Sequence, residues 1–166
     1  MTIVGRFATH ADLDKLVQGR LDFIAALGTP APVEGLDEIR QSIRFFYQTR
    51  LGQDIHCYLV EDDGKVAAIG FLQAHVVAYH PGCPTQRFGR ITNMLCYPEY
   101  RLRGFARQTM NALIGLAKEM DFDYITLDAS KMGRHLYESL GFEDYVPVDP
   151  PMHLKLWGKG NLNSEK

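Results

Sequence analysis

The spacing of apolar positions changes character along the chain, and each change marks an element. Thr9 or His10 precedes an amphipathic stretch with acidic residues in its first turn, which predicts a helix running to about Leu27. Gly28 to Val33 reads as a loop. A second helix is expected from Leu36 to Leu51, with Ile39, Ile43, Phe46 and Tyr47 on one face, broken by Gly52-Gln-Asp. From Ile55 the pattern becomes that of strands. Ile55 to Glu61 is one, Asp62-Asp-Gly-Lys65 is a hairpin turn that tolerates positive φ, and Val66 to about Tyr79 is a long second strand. After a loop at His80 to Gln86, a third strand covers Arg90 to Tyr97. A helix from Gly104 to Met120 follows, with Phe105, Leu113, Ile114, Leu116, Ala117 and Met120 on its apolar side. Asp123 to Asp128 is a buried strand, parallel to the preceding one if that helix is a crossover. A short helix at about Met132 to Leu140 ends on Gly141. Two closing strands are expected at Phe142 to Val148 and Met152 to Trp157. The order predicts an α/β domain with a mixed sheet, residues 1–158, and a polar tail at 159–166.

The densest chemistry lies between Asn93 and Asn111. A strand passes through Pro98 into Arg101-Leu102-Arg103-Gly104-Phe105-Ala106-Arg107 and then into a helix. A turn of small residues that opens a helix leaves backbone N–H groups unpaired at the positive end of the helix dipole, a place that favours phosphate. Gly104 and Ala106 allow close approach, and Arg101, Arg103 and Arg107 add charge. The expected ligand is a cofactor bearing a pyrophosphate.

Composition removes several classes. The chain has 166 residues, 46% of them hydrophobic and 23% charged, which fits one soluble domain with a single core. A formal net charge of -2 argues against nucleic acid as the main partner. No apolar run approaches the roughly 20 residues needed to span a membrane, and Met1 to Phe7 has no signal-peptide architecture. Cys57, Cys83 and Cys96 are odd in number and lack metal-ligand spacing. They read as reduced thiols, and the expected location is the cytoplasm. His80 with Cys83 offers too few ligands for a metal site.

Two motifs carry a family resemblance. Arg101-x-x-Gly104-x-Ala106 after a strand resembles the (Gln/Arg)-x-x-Gly-x-(Gly/Ala) signature of the GNAT superfamily of acetyl-coenzyme A-dependent N-acyltransferases. Leu136-Tyr137-Glu-Ser-Leu-Gly141-Phe142 resembles that family's Leu-Tyr-x-x-Leu-Gly-Phe segment. Their order and separation also match, most clearly over residues 90–145. The resemblance implies a single-domain fold whose mixed central sheet is splayed at the cofactor site, with helices on both faces. It implies acetyl-coenzyme A as co-substrate and no metal. It implies pyrophosphate on the backbone of Arg101, Leu102, Arg103, Gly104, Phe105, Ala106 and Arg107. It implies pantetheine and thioester contacts along Met94, Leu95 and Cys96, with the backbone at Leu95 facing the developing oxyanion. Tyr137 would protonate the departing thiolate. Ser130 stands where many relatives carry an Asn that meets the pantetheine, and Arg134 is a candidate phosphate contact. Relatives often pair through their C-terminal strands, so a homodimer is conceivable.

The chain departs from the pattern at its base. The strand Arg90 to Tyr97 carries no Glu. Asn93 can orient a water or a substrate but cannot remove a proton. Asp128, His56 and His75 are weaker candidates. Cys96 has no readable His-Asp partners, and direct transfer needs no acyl-enzyme. The aromatic residues Phe45, Phe46 and Tyr47 either pack the core or line an acceptor pocket. The expected activity is acetyl transfer to a primary amine of a small molecule; a protein acceptor and a non-catalytic acyl-coenzyme A-binding module are the alternatives.

Overall fold

The computed structural model describes residues 2–147 and 151–154. Its chain divides into two compact units, residues 1–128 and 129–166.

The first unit is built on a five-stranded sheet in the order β1-β2-β3-β4-β5. Its strands are β1 (Ile3–Phe7), β2 (Ile55–Asp62), β3 (Lys65–Val76), β4 (Arg87–Cys96) and β5 (Ile125–Thr126). The first four pair antiparallel and β4 pairs parallel with β5. The β2–β3 turn has Asp63 at φ 47° and Gly64 at φ 80°, both left-handed, which matches the twist of the hairpin it joins. The parallel step needs a crossover, supplied by α3 (Phe105–Glu119). The helices α1 (Leu13–Ala26) and α2 (Leu36–Arg50) precede the hairpin.

Strand alternation sends side chains to two faces. Leu59, Ile69, Phe71 and Leu95 form one core with Leu13 and Leu16 of α1 and Tyr47 of α2. On the other face, Val60 and Ala68 pack with Phe105 of α3. A Cβ on Gly70 would lie 2.9 Å from the methyl of Thr109 and 3.2 Å from Leu113, so glycine lets α3 press directly onto the sheet. A second support is ionic. Asp12, almost fully buried, receives two 2.7 Å hydrogen bonds from Arg6, and Glu61 receives a 2.6 Å bond from Lys15.

Three differences from the sequence reading have physical causes. The strand β1 was not foreseen. It is a short edge strand, and its Gly5 backs onto Tyr58 and Gln108 with no room for a Cβ. The expected six-residue strand at 123–128 contains only Ile125 and Thr126 as ladder residues, because β4 leaves it beyond Arg90. The closing strands are absent among the described residues. Phe142 to Pro147 and Met152 to Leu154 take no ladder, and Tyr145, Val146, Met152 and Leu154 are exposed. Pro147, Pro150 and Pro151 deprive this stretch of ladder donors. Val148, the remainder of the last strand and the polar tail lie outside the described residues. The loop expected at 80–86 is tied down: Cys83 N–H donates to His80 O at 2.7 Å, and Val77 N–H to Gln86 O at 2.9 Å.

The second unit contains α4 (Arg134–Ser139), entered from Ser130. Ser130 Oγ accepts the Gly133 N–H at 3.1 Å, and Ser130 O accepts the Arg134 N–H at 3.0 Å.

Candidate active site

The strand β4 is two structures in sequence. Up to Arg90 it is an interior strand, with Gly89 opposite Ile125 and Arg90 opposite Thr126. Beyond Arg90, among the described residues, only β3 accompanies it. Within that stretch the pairing slips: Phe71 faces Thr92, Ile69 faces Leu95, and both Asn93 and Met94 stand against Gly70. This is a β-bulge. Asn93 carries it at φ 50°, a left-handed conformation that costs a non-glycine residue energy and that Asn tolerates best. The bulge re-aims the side chains. Thr92 and Asn93, adjacent in sequence, both turn toward α1 and α2 and line one pocket, while Met94 and Cys96 turn toward the α3 side. Where a strand leaves its parallel neighbour, its backbone groups become available to a ligand.

Past Cys96 the chain makes a short 3-10 turn at Pro98–Tyr100 and reaches the expected anion cradle. Leu102 at φ 61° and Gly104 at φ 83° are both left-handed. The helix α3 then starts with no side-chain cap on Gly104 and no acidic residue in its first turn. Its first helical bond is Gln108 N–H to Gly104 O at 3.0 Å, so Phe105, Ala106 and Arg107 offer N–H groups without a helical acceptor. A Cβ on Gly104 would meet nothing within 4 Å, so the space before these amides is open. A pyrophosphate fits this chemistry.

The arginines divide. Arg101 Nε donates to Cys96 O at 3.3 Å, which ties the turn to the end of β4. Arg103 pairs with the buried carboxylate of Asp62 at 2.9 Å and lies over the rings of Phe105 and Tyr100 at 4.8 and 5.7 Å. It therefore braces the cradle against the β2–β3 turn. Arg107 is exposed in the first turn of α3. In the second unit, Arg134 pairs with Asp144 at 2.8 Å and Glu138 at 3.6 Å.

Tyr137 is buried in α4. Its ring meets Phe142 edge-on at 6.1 Å between centroids. A Cβ on Gly133 would lie 2.7 Å from the ring, so that glycine makes room for the tyrosine. Burial pushes the Tyr137 phenol above its ordinary value, which keeps it protonated across the neutral range.

Other candidates take more ordinary places. Asp128 forms an ion pair with Arg90 and is exposed. The ring of His75 stacks on Phe88 at 4.8 Å, and Phe88 on Tyr124 at 5.1 Å. Burial lowers the His56 pKa, so that imidazole is neutral. Burial raises the Cys96 thiol, which therefore holds its proton and is a poor nucleophile.

The pocket on the α1–α2 side of the bulge encloses about 390 Å³ and is lined by Arg20, Phe46, Tyr47, Phe71, Thr92 and Asn93, among others. Asn93 is its hub. Its Oδ1 accepts a hydrogen bond from Arg20 Nη1, and its Nδ2 donates to Tyr47 Oη at 3.1 Å. Guanidinium can only donate, so Arg20 dictates which end of the amide faces it. Burial, partly offset by the nearby Arg20, pushes the Tyr47 phenol up to about 12. The sequence reading identified Asn93 and the Phe46–Tyr47 region but missed Arg20. A signal existed: position 20 continues the buried stripe of Leu13, Leu16, Val17 and Leu21 on α1, where a surface arginine does not belong.

A splayed, bulged strand thus feeds an uncapped helix N-terminus on an α/β scaffold. The GNAT acetyltransferase family model matches residues 22–142, and the chain belongs to that family. A predicted acetyltransferase from Clostridium acetobutylicum, solved with acetyl-CoA, superposes with TM-score 0.81 at 26% identity, covering 93% of this chain and 97% of that one. A GCN5-related N-acetyltransferase from Ralstonia eutropha JMP134 shares the fold with TM-score 0.76 at 22% identity over 91% and 99% of the two chains. A glucosamine-6-phosphate N-acetyltransferase from Arabidopsis thaliana does so with TM-score 0.68 at 19% identity over 93% and 100%. A search of the curated proteins returns no match. The chain is thus an acyltransferase of the GNAT family. Among the described residues, no group of side chains could hold a metal ion and no helix is long and apolar enough to cross a membrane.

Proposed function

We propose that this acyltransferase moves acetyl from acetyl-coenzyme A directly to a primary amine of a small molecule. The observation that carries the reading is the course of β4, which leaves β5 after Arg90 and runs into a left-handed turn at an uncapped helix N-terminus. That arrangement supports pyrophosphate at the Arg101–Arg107 segment, chiefly on the amides of Phe105, Ala106 and Arg107. It also supports pantetheine and thioester contacts along Met94, Leu95 and Cys96. Acetyl-coenzyme A supplies the activated acyl group.

The residues divide the remaining work. A backbone donor at Leu95 facing the thioester oxygen stabilises the charge that develops as the amine attacks. Tyr137, kept protonated by burial, returns a proton to the leaving sulfur. Ser130 and Arg134 are proposed secondary contacts of the cofactor. The high pKa of the Cys96 thiol favours direct transfer over an acyl-cysteine. No carboxylate occupies β4, so the amine loses its proton to water. The acceptor pocket of about 390 Å³ has the scale of small-molecule sites, which supports a small amine over a protein.

The test is release of free thiol from acetyl-coenzyme A against amino acids, polyamines, aminoglycosides and short peptides. Amine-dependent release with the small molecules is expected. Release only with a folded protein, or none with tight coenzyme A binding, would overturn the reading.

A further inference from the structure

Arg20 is an unusual wall for an amine-binding pocket. It is half-buried, and it is the one charged side chain among the residues lining the cavity. Among the described residues it has no ion-pair partner; its guanidinium donates to the neutral amide of Asn93. A neutral acceptor orients the cation without cancelling its charge. Guanidinium has five N–H donors in a fixed fork, so a single bond to Asn93 leaves most of them for a ligand. Tyr47 does not neutralise Arg20 either, because its phenol stays protonated far above neutral pH. The Tyr47 hydroxyl accepts from Asn93 Nδ2, which leaves its own O–H to donate. Asn93 therefore presents two donors, one charged, to the same cavity. A partly desolvated cation without a counter-charge is costly unless an anion completes it. The rest of the wall is mixed: Ile43, Phe46, Ile55 and Phe71 form its apolar part, and Ser42, Gln73 and Thr92 its polar part.

We infer that the acceptor, on the N-acetyltransferase reading above, is an amino acid with an apolar side chain, its carboxylate held by Arg20 and Tyr47 and its side chain against Phe46 and Phe71. The reaction balances simply. The ammonium first loses a proton to water; the neutral nitrogen then forms a bond to the acetyl carbon, the carbon–sulfur bond breaks, and the second proton lost by the nitrogen balances the one taken up by the thiolate. The acetylated product keeps the carboxylate and loses the positive charge of its ammonium. Polyamines and aminoglycosides bring several positive charges to a pocket whose charged wall is also positive, and like charges there are unfavourable. A hexosamine phosphate also supplies an anion, but it brings no apolar group to set against Phe46 and Phe71.

The experiment measures thiol release from acetyl-coenzyme A with phenylalanine, leucine, phenylalanine amide, spermidine and glucosamine 6-phosphate, with calorimetric binding of phenylalanine in the presence of coenzyme A. The expected kcat/KM for phenylalanine exceeds that for its amide by about tenfold or more, since a charged hydrogen bond is lost in the amide. Arg20→Gln raises KM for phenylalanine and brings the acid-to-amide ratio toward one. Arg20→Lys, which keeps the charge, retains a preference for the acid and guards against a folding artefact. Equal or better turnover of the amide, spermidine or glucosamine 6-phosphate would overturn the inference while keeping the transferase. Phenylalanine binding that Arg20→Gln abolishes, with no thiol release from any amine, would uphold the pocket assignment and overturn the transferase reading. Neither binding nor turnover of the amino acids would overturn the inference.

Discussion

Tyr47 Oη accepts a 3.1 Å hydrogen bond from Asn93 Nδ2, joining the second helix to a left-handed bulge residue 46 positions away. The bond does two things. It holds Asn93 in a side-chain orientation that its strained backbone alone would not impose, and it turns the Tyr47 hydroxyl into a fixed feature of the pocket wall. Replacing Tyr47 by Phe leaves a buried amide donor unsatisfied. Tyr47→Phe is expected to destabilise the protein by about 1–2 kcal/mol in urea titrations at neutral pH.

The same tyrosine sets an alkaline limit. Its folded pKa is raised from 10.0 to about 12, chiefly by burial. Its contribution is therefore complete below pH 10 and declines as the pH rises toward about 12, because the unfolded chain ionises first. Urea unfolding at pH 9 and pH 11 should show the wild type losing more stability over that interval than Tyr47→Phe, which has no phenol at this position. Equal losses would mean that Tyr47 titrates normally.

At acid pH the sensitive group is Asp12. Hydrogen bonds from Arg6 hold its carboxyl well below the ordinary range, against the opposing effect of burial. A depressed folded pKa contributes stability above the unfolded value near 4 and loses it as the pH falls further. Asp12→Asn should cost about 2–3 kcal/mol at pH 7. The gap between wild type and variant should narrow below pH 4, as read by thermal or urea unfolding.

Gly104 tests the anion cradle. Its φ of 83° strains any side chain, yet the space around a new Cβ is empty. Gly104→Ala should destabilise by about 1–2 kcal/mol through the backbone alone. It should also weaken coenzyme A binding about tenfold, because the loop no longer presents its amides as before. Calorimetry separates the two: unchanged coenzyme A affinity in a destabilised variant would remove Gly104 from the cofactor site.

Tyr137→Phe addresses the proposed acid. Loss of a general acid should lower kcat about 100-fold or more, with coenzyme A affinity within about twofold of wild type. An unchanged kcat would leave Tyr137 as a packing residue of α4.

What was legible in the sequence was mostly local. The Arg101-x-x-Gly104-x-Ala106 run encodes its own geometry, since Gly104 is placed where φ must be positive and the helix start needs no distant partner. The Asp63-Gly64 turn was readable for the same reason. The splay of the sheet was expected from the family resemblance, but nothing in Asn93-Met94 announces a bulge or which residue takes the left-handed position. The Arg20–Asn93 contact spans 73 positions and depends on α1 crossing the bulge, which periodicity cannot reveal. The strand β1 escaped because a five-residue edge strand with a central glycine has little pattern to read. The expected strand from Phe142 had the right residue types, but its described residues take no ladder, and Pro147 has no N–H to give to one.

The most direct test of the central claim follows both products at once. The protein, acetyl-coenzyme A and the best amine of the panel are incubated together, free thiol is measured by colorimetry, and the amine is examined by mass spectrometry. One acetylated amine for each thiol released, with no acetylated protein accumulating, is the expected result. Thiol release without acetylated amine, or acetyl retained on the protein, would contradict direct transfer.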